Sequence, residues 1–252
     1  NKGDNKNERM DELLLQLSDI QPEIICLQEC FESSRRFAKL REFAIANNYS
    51  LHQQENQLFM SGGVIILSKY HILYSRYLTF ITEGAWPDNL VDKGFLHAKL
   101  DVGGEHIHII NTHLQSEKEY IYIRKLQLLE ILKYTKTFPK NESVFILGDF
   151  NGCHELWNFI DVVFYEYTNS LYSIKKGYRY TYNTYCNNVF GNDKQVLDTI
   201  LWKLGEKSKL KHKKSLIDPL KIKYKKKLPH SRISDHLSFR GFWELNLSNK
   251  EI

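Results

Sequence analysis

The hydrophobic pattern at the start of the chain predicts a helix, a strand and a second helix. Apolar residues recur every three or four positions from Glu8 to Leu17, which is the spacing of an amphipathic helix. The short apolar run Ile24–Leu27 follows and is typical of a buried strand. A second amphipathic segment runs from Ser34 to Ala46, and Ser33 or Ser34 is suited to cap its N-terminus.

The middle and the C-terminal part of the chain are richer in strand patterns than in helical ones. Alternation on both sides of Gly103-Gly104 predicts a β-hairpin. One long amphipathic segment, Lys118–Thr135, predicts a helix that ends before Pro139. The predicted strands are Gly62–Leu67, Ile72–Ile81, Gly94–Asp101, Ile107–Asn111, Val144–Leu147, Val196–Trp202, Leu220–Lys225 and Phe239–Leu247.

This mixture of hairpins and strand–helix–strand units predicts one α/β domain. The sequence shows no internal repeat, and no segment rich in proline, glycine and serine divides it. Each sheet must bury an apolar face against another layer. We therefore expect a four-layer α/β sandwich over residues 1–252, with helices outside two packed mixed β-sheets.

Composition allows a large core and gives no indication of a membrane span. Of 252 residues, 42% are hydrophobic, which predicts a soluble globular protein. No apolar run approaches the roughly 20 residues that a bilayer crossing needs, so no transmembrane segment is expected. The polar start Asn1–Asn7 does not resemble a secretion signal, but the chain lacks an initial Met and a signal could already have been removed. Localisation is therefore open at this point.

Positive charge is concentrated near the C-terminus. The chain has a net charge of +5, and the segment Lys203–Lys227, called here the Lys-rich segment, has eleven lysines against Glu206 and Asp218. Its own charge of +9 leaves −4 for the rest of the chain. Attraction for nucleic acid or an anionic membrane surface would therefore act through this segment. The alternating lysines of Leu220–Lys225 are equally well explained as protection of a sheet edge against pairing.

Polar side chains stand next to several predicted strands. Glu29 comes after one strand, Asp149 and Asn151 come after another, and Asp235-His236 precedes the last. A carboxylate-rich cluster with a histidine suits a hard divalent cation and a phosphate ester. Each motif alone also has an ordinary structural explanation, as a solvated Glu, a structural Asp–His pair or a polar turn. Their joint occurrence at strand ends predicts one shared site.

Hydrolysis of a phosphodiester needs positive charge, a base for water and help for the departing oxygen. Glu29 suits Mg²⁺, which takes few protein carboxylates and keeps several waters. An aspartate close to an imidazole can fix its tautomer, so Asp235 is expected to orient His236 if the backbone bends there. Another strand ends at His113, which could place a second imidazole against the phosphate.

Six short motifs follow one another along the chain from about Glu8 to Trp243. They are Ile24-Ile25-Cys26-Leu27-Gln28-Glu29, Gly62-Gly63-Val64, Asn111-Thr112-His113-Leu114-Gln115, Gly148-Asp149-Phe150-Asn151, Leu197-Asp198 and Ser234-Asp235-His236. This order resembles that of the endonuclease/exonuclease/phosphatase superfamily. Within it, Gly62–Tyr70, Asp92–Phe95 and a predicted helix with Arg124 and Gln127 are most similar to the neutral, bacterial-type sphingomyelinase C family.

The resemblance implies a metal ligand and a base. Glu29 would bind Mg²⁺, with Mn²⁺ or Co²⁺ as substitutes, and His236 would be the general base, oriented by Asp235. The family usually opens with a strand that bears an active-site Asn. This chain is therefore expected to begin after that strand.

The resemblance also assigns the residues around the phosphate. Asp149 and Asn151 would act at the attacking water and the phosphate. His113 would stabilise the transition state or supply a proton, and Asp198 would support it.

Three functions are compatible with these features. The leading hypothesis, from the resemblance, is a Mg²⁺-dependent phosphodiesterase that binds a membrane peripherally and hydrolyses sphingomyelin to ceramide and phosphocholine. A choline headgroup would suit an aromatic cage, for which Trp86, Tyr180 and Tyr182 are candidates. The alternatives are a nuclease that binds DNA or RNA through the Lys-rich segment and a catalytically silent binding protein. A secreted or membrane-peripheral location is favoured over a cytoplasmic one.

Overall fold

The computed structural model describes residues 6–30, 34–54, 62–175, 178–183, 194–220 and 234–246. The α-helices in these ranges are α1 Lys6–Ile20, α2 Ser34–Ala46, α3 Ile121–Thr135 and α4 His154–Val163. The strands are β1 Ile24–Leu27, β2 Ser50–Gln53, β3 Ile65–Ser68, β4 His71–Thr79, β5 Gly94–Val102, β6 Glu105–His113, β7 Ser143–Asp149, β8 Thr168–Asn169, β9 Tyr182–Asn183, β10 Lys194–Gln195, β11 Asp198–Lys203, β12 Leu210–Asp218 and β13 Ser238–Leu245.

A six-stranded mixed sheet is the centre of the fold. Its strand order is β4-β5-β6-β7-β11-β8, with β6 and β7 parallel and the other neighbours antiparallel. A second layer contains the antiparallel sheet β1-β3-β2 and the antiparallel pair β12-β13. A further short pairing joins β9 to β10.

Three hydrophobic clusters join four layers. On one face of the central sheet, Ile146 belongs to a cluster with Leu128 of α3. On the other face, Phe145 belongs to a cluster with Ile66 of β3. The next residue of β3, Leu67, packs with α1 and α2, because successive side chains of a strand point to opposite faces. Full burial of each such side chain is worth roughly 1.5–3 kcal/mol. The predicted four-layer α/β sandwich is confirmed.

Strands with clear patterns lie where the sequence predicts them, and six of the helices and strands given above were not predicted. β1 and α2 have the predicted bounds, and the β5–β6 hairpin turns at Gly103-Gly104. The unpredicted elements are helix α4, the strands β2 and β12, and the two-residue strands β8, β9 and β10. Helix α4 is rich in aromatic and β-branched residues, which are weak helix formers, and the burial of Leu156 and Ile160 stabilises it. Most of the edge strand predicted at Leu220–Lys225, and both candidate cap side chains of α2, lie outside the described residues.

A polar cluster is buried where β6 and β7 begin. Glu142 accepts hydrogen bonds from Lys99 Nζ at 2.7 Å and from His108 Nε2 at 2.6 Å. His108 Nδ1 lies 2.9 Å from His97 Nε2, and His97 Nδ1 lies 2.9 Å from the Tyr134 hydroxyl. These contacts, called here the Glu142 cluster, tie the C-terminal end of α3 to the central sheet.

Candidate active site

Strand register brings three of the predicted site residues together. β6 and β7 place His113 opposite Asp149, and β7 and β11 place Asp149 opposite Asp198. The three residues therefore lie side by side at one end of the central sheet, and all three are buried. Gly148 allows the close approach of β6, since a Cβ there would lie 2.0 Å from the Thr112 carbonyl oxygen and its φ is +137°.

His236 reaches this row from the segment before β13. Its Nδ1 lies 2.9 Å from Asp198 Oδ2, and its Nε2 lies 3.6 Å from Asp149 Oδ2. The structure corrects the prediction that Asp235 orients His236, because the carboxylate that holds the ring is that of Asp198. Side chains of adjacent residues on an extended backbone diverge, whereas β11 delivers Asp198 directly to the imidazole.

The carboxylates around His236 control its protonation. Burial alone would lower the pKa of His236, but the charge and hydrogen bond of Asp198, with further charge from Asp149 and Asp235, raise it to about 10. Asp235 therefore acts on His236 through its charge. At neutral pH the imidazole holds its proton in this arrangement. If a cation offset the charge of the carboxylates, the ring would lose this proton more readily.

His113 stands on the other side of Asp149. Its Nε2 lies 3.7 Å from Asp149 Oδ2, and its buried Nδ1 has no hydrogen-bond partner among the described residues. The prediction that Asp198 supports His113 is wrong, since Asp198 bonds His236 instead. Burial, and then the charge of Lys93, lower the pKa of His113 to about 4. The ring is therefore neutral at pH 7.

The buried carboxyl group of Asp149 lies between the two imidazoles. Burial raises its pKa, and the charge of Asp198 raises it further, while the charges of His113 and His236 act in the opposite direction. Asp149 Oδ1 accepts a hydrogen bond from the Asn151 backbone N–H at 2.7 Å. The backbone thus turns directly after β7, and Asn151 has a φ of +46° rather than the extended conformation.

Asn151 ties this turn to the end of β6. Its Nδ2 donates a hydrogen bond to the Leu114 carbonyl at 3.0 Å, and the Leu114 backbone N–H donates to the Asp149 carbonyl at 2.9 Å. The sequence predicted that the amide would donate to a phosphate oxygen. In the structure one of its two hydrogens bonds the protein, which leaves the second for such a contact.

Glu29 forms the open side of the site. Its side chain is exposed, and its φ of +55° is uncommon for a residue with a Cβ. The protein packed on one side of Glu29 raises its pKa, the charge of His236 lowers it, and the charge of Asp235 raises it. Glu29 therefore lies within electrostatic reach of His236, Asp235 and Asp149.

Asn111 links the central sheet to the sheet β1-β3-β2 close to Glu29. Its Nδ2 donates to the carbonyl oxygens of Leu27 and Ile65, both at 2.9 Å. Its Oδ1 accepts a hydrogen bond from Gln28 Nε2 at 2.6 Å. Because Gln28 precedes Glu29, these bonds anchor the end of β1 to the central sheet.

Lys93 was not among the predicted site residues. Its buried Nζ donates to the Leu114 carbonyl at 2.6 Å and lies 3.0 Å from Asp88 Oδ2. Burial lowers the pKa of Lys93, whereas Asp88 and then Asp149 and Glu29 act to raise it. Strand pairing in the β5–β6 hairpin could have indicated this position, since Lys93 directly precedes β5 and therefore lies beside the end of β6.

The donors at this end of the sheet fit a divalent cation. Atoms of Asp149, Asp198 and His236 lie within 4.8 Å of one another. Glu29 is outside this group, but its carboxylate lies within electrostatic reach of Asp149 and His236. Neighbouring carboxylates repel one another unless a cation offsets their charge. Their oxygens are also the ligands that hard cations prefer. In the described parts of the chain, this is the one group of His, Cys, Asp and Glu with such spacing.

The aromatic candidates occupy different places. The Tyr182 ring meets the His236 ring edge-on at a centroid distance of 5.3 Å, so Tyr182 lies at the site. Tyr180 instead contacts Tyr178 at 5.5 Å and lies under Lys194 Nζ at 5.1 Å. Trp86 is 67% exposed.

The described part of the Lys-rich segment, up to residue 220, contains β12. Lys203 pairs with Glu166 at 2.5 Å, and Lys213 pairs with Glu244, so neighbouring acids offset part of the positive charge. Lys214 Nζ lies 4.8 Å from the centre of the Phe242 ring. No helix in the described ranges is both long and apolar enough to cross a membrane.

The chain belongs to the endonuclease/exonuclease/phosphatase family. The family's sequence model matches residues 1–236, which include every predicted site residue. Two curated relatives are sphingomyelinases. Sphingomyelinase C 2 of Leptospira interrogans is 33% identical over 121 residues, 45% of this chain and 19% of that protein. Sphingomyelinase C of Bacillus cereus is 38% identical over 112 residues, 41% of this chain and 32% of that protein.

A third relative has a different name. Phospholipase C of Staphylococcus aureus is 39% identical over 98 residues, 36% of this chain and 29% of that protein. The matched stretches thus span less than a third of the length of each of these relatives.

Solved structures share the fold over nearly the whole chain. Beta toxin of Staphylococcus aureus superposes with a TM-score of 0.78 and 22% identity, over 94% of this chain and 92% of that one. TDP2 of D. rerio, complexed with a single-strand DNA product, superposes with a TM-score of 0.79 and 17% identity, over 95% and 93%. At these identities the likeness establishes the fold.

Proposed function

We propose that this chain is a Mg²⁺-dependent phosphodiesterase of the sphingomyelinase C type, which hydrolyses sphingomyelin to ceramide and phosphocholine. The observation that carries the proposal is the array of Asp198, His236 and Asp149 beside the exposed carboxylate of Glu29. The names of the sphingomyelinase relatives support the choice of substrate. A secreted or membrane-peripheral location agrees with a phospholipid substrate.

In this proposal, His236 is the general base. Asp198 bonds Nδ1 and leaves Nε2, on the side of Asp149, to take a proton from the attacking water. Asp149 and Asn151 orient that water and the phosphate. His113 is neutral at pH 7, so it stabilises the transition state by donating an N–H rather than by carrying a charge.

Glu29 is the proposed Mg²⁺ ligand, with Mn²⁺ or Co²⁺ as substitutes. A cation held there would supply positive charge to the phosphate, and by offsetting the nearby carboxylates it would lower the pKa of His236. Asp149 and Asp235 lie within electrostatic reach of Glu29 and would strengthen cation binding through their charge.

A panel of substrates tests this function. The purified chain with Mg²⁺ is incubated with sphingomyelin vesicles, duplex DNA and an inositol phosphate. We expect phosphocholine release from the vesicles, its loss in EDTA and its recovery when Mg²⁺ is restored. Nicked DNA without phosphocholine would replace the proposal with the nuclease alternative. Inactivity on all three substrates would favour a silent binding protein.

The nuclease alternative rests on a separate observation. Lys207, Lys209 and Lys211 are exposed on and before β12, and TDP2 with a DNA product shares the fold. Contacts between several lysines and DNA phosphates would make binding fall steeply with salt. The ion pairs of Lys203 and Lys213 reduce the charge available for such binding.

Glu29→Gln should weaken Mg²⁺ binding. Losing an outer-shell partner of a metal typically costs roughly 10- to 100-fold in affinity, and losing a direct carboxylate ligand should cost at least as much. The Mg²⁺ concentration for half-maximal activity and calorimetric Mg²⁺ titration measure this change. Glu42→Gln, on the exposed face of α2, is the control and should leave both values unchanged. An unchanged Mg²⁺ requirement in Glu29→Gln would remove Glu29 from the metal site.

A further inference from the structure

Thr181 is buried between the segments that carry Asp198 and His236. It directly precedes β9, and its exposed fraction is 0%. Neither the proposed mechanism nor the sequence motifs assign it a role. Its hydrogen bonds, however, reach both members of the Asp198–His236 pair.

On the Asp198 side, the Thr181 hydroxyl accepts two backbone hydrogen bonds. The Leu197 N–H donates to Oγ1 at 2.8 Å, and the Asp198 N–H donates to the same oxygen at 3.0 Å. The Thr181 backbone N–H also donates to the Gln195 carbonyl at 2.9 Å. One side chain thus satisfies two buried donors at the point where β11 begins.

On the His236 side, Thr181 uses its carbonyl. The Leu237 N–H donates to the Thr181 carbonyl at 2.6 Å. Two residues further on, the Asn183 N–H donates to the Asp235 carbonyl at 3.0 Å. These two bonds enclose His236, so the backbone on both sides of the imidazole is held by the segment 181–183.

We propose that Thr181 is a positioning residue that holds Asp198 and His236 in register for catalysis. Its hydroxyl holds the Asp198 backbone, and its carbonyl holds the residue after His236. The inference rests on the proposed function, in which this pair forms the general base. A small displacement of catalytic groups can cost about 10²-fold in rate, so the hydroxyl of a residue that contacts no reacting atom can still matter.

The test compares three variants. Thr181→Val keeps the shape but leaves two buried N–H groups without their acceptor. Thr181→Ser keeps the hydroxyl. Thr199→Val is the matched control, since Thr199 is equally buried, lies in β11 beside Asp198 and bonds Asn169 Oδ1 at 2.7 Å.

We expect Thr181→Val to lower kcat about 10- to 100-fold with little change in KM. Thr181→Ser should retain most of the activity of the unchanged protein. Thr199→Val should lower the melting temperature as Thr181→Val does, but should keep kcat. Equal losses of kcat in Thr181→Val and Thr199→Val, or an unchanged kcat in Thr181→Val, would overturn the inference.

A second readout does not depend on activity. The Nδ1 proton of His236, hydrogen-bonded to Asp198, should give a low-field NMR signal in the folded protein with Mg²⁺. This signal should persist in Thr181→Ser and Thr199→Val and should shift or vanish in Thr181→Val. If the protein hydrolyses none of the tested substrates, the proposed function fails, while this signal still decides whether Thr181 positions the pair. An unchanged signal in Thr181→Val would contradict the inference.

Discussion

Replacing His236 with alanine should lower kcat for phosphodiester hydrolysis roughly 10²- to 10⁴-fold, the range ascribed to general acid–base catalysis. The imidazole is the group that Asp198 holds at 2.9 Å and that faces Asp149 with its other nitrogen. No other imidazole of the described site can replace it, because His113 lies on the opposite side of Asp149. KM should change little, since the ring is proposed to act on water. Initial rates of phosphocholine release at saturating Mg²⁺ measure the effect.

His71→Ala is the matched control for this experiment. His71 is exposed at the start of β4 and pairs with Asp101, at the end of the central sheet away from the site. Its removal should leave kcat unchanged. Thermal unfolding of both variants separates a loss of chemistry from a loss of folded protein. A folded His236→Ala variant that keeps more than a tenth of the activity would contradict the assignment of the base.

Replacing Glu142 with alanine should lower the free energy of unfolding by about 3 kcal/mol, the lower end of the range for breaking a buried ion pair. The change leaves Lys99 and His108 without their shared carboxylate in a buried cluster. The lower end applies because the Lys99 side chain remains 25% exposed and keeps part of its hydration. Urea unfolding followed by circular dichroism measures the change.

Glu155→Ala is the control for the stability prediction. Glu155 also pairs with a lysine, Lys125 at 2.6 Å, but its side chain is 64% exposed. Exposed pairs contribute about 0–1 kcal/mol, so this variant should be almost as stable as the unchanged protein. Similar losses of unfolding free energy in Glu142→Ala and Glu155→Ala would show that burial does not increase the contribution of the Glu142 cluster to stability.

The pH dependence of the Glu142→Ala effect follows from the pKa shift. Burial alone would raise the pKa of Glu142, but hydrogen bonds from Lys99, His108 and His106 lower it from 4.5 to about 2. A carboxyl group whose pKa is lower in the folded state stabilises that state at pH values above its unfolded pKa. This contribution is lost as the pH falls through the pKa of the folded state. The difference in unfolding free energy between the unchanged protein and Glu142→Ala should therefore shrink as the pH falls from 4.5 to about 2. A difference that stays constant over this window would contradict the shift.

Local patterns predicted the fold where local and tertiary preferences agree. The run Ile24–Leu27 and the hairpin around Gly103-Gly104 form as predicted, because alternation and turn residues act over a few positions. Helix α4 and strand β12 were missed. Both depend on long-range packing, which favours a helix with weak intrinsic propensity in one case and a strand among exposed lysines in the other.

Site residues were easier to predict than their partners. Glu29, Asp149 and His236 stand next to apolar runs, and this feature is visible in the sequence. Lys93 was not recognised, because a lysine before a strand is usually a solvated residue. Its buried position depends on the Leu114 carbonyl, which lies directly after β6 and 21 residues further along the chain.

Local sequence was enough to show which chemical groups stand at the ends of the strands, because strand ends and their polar residues are local features. Which carboxylate holds which imidazole, in contrast, depends on how distant segments pack together in the folded chain. Asp198 and His236 are 38 residues apart, and their contact depends on the register of β11 beside β7 and on the segment that Thr181 holds. Asp235, adjacent to His236 in sequence, is excluded from that contact by the divergence of neighbouring side chains.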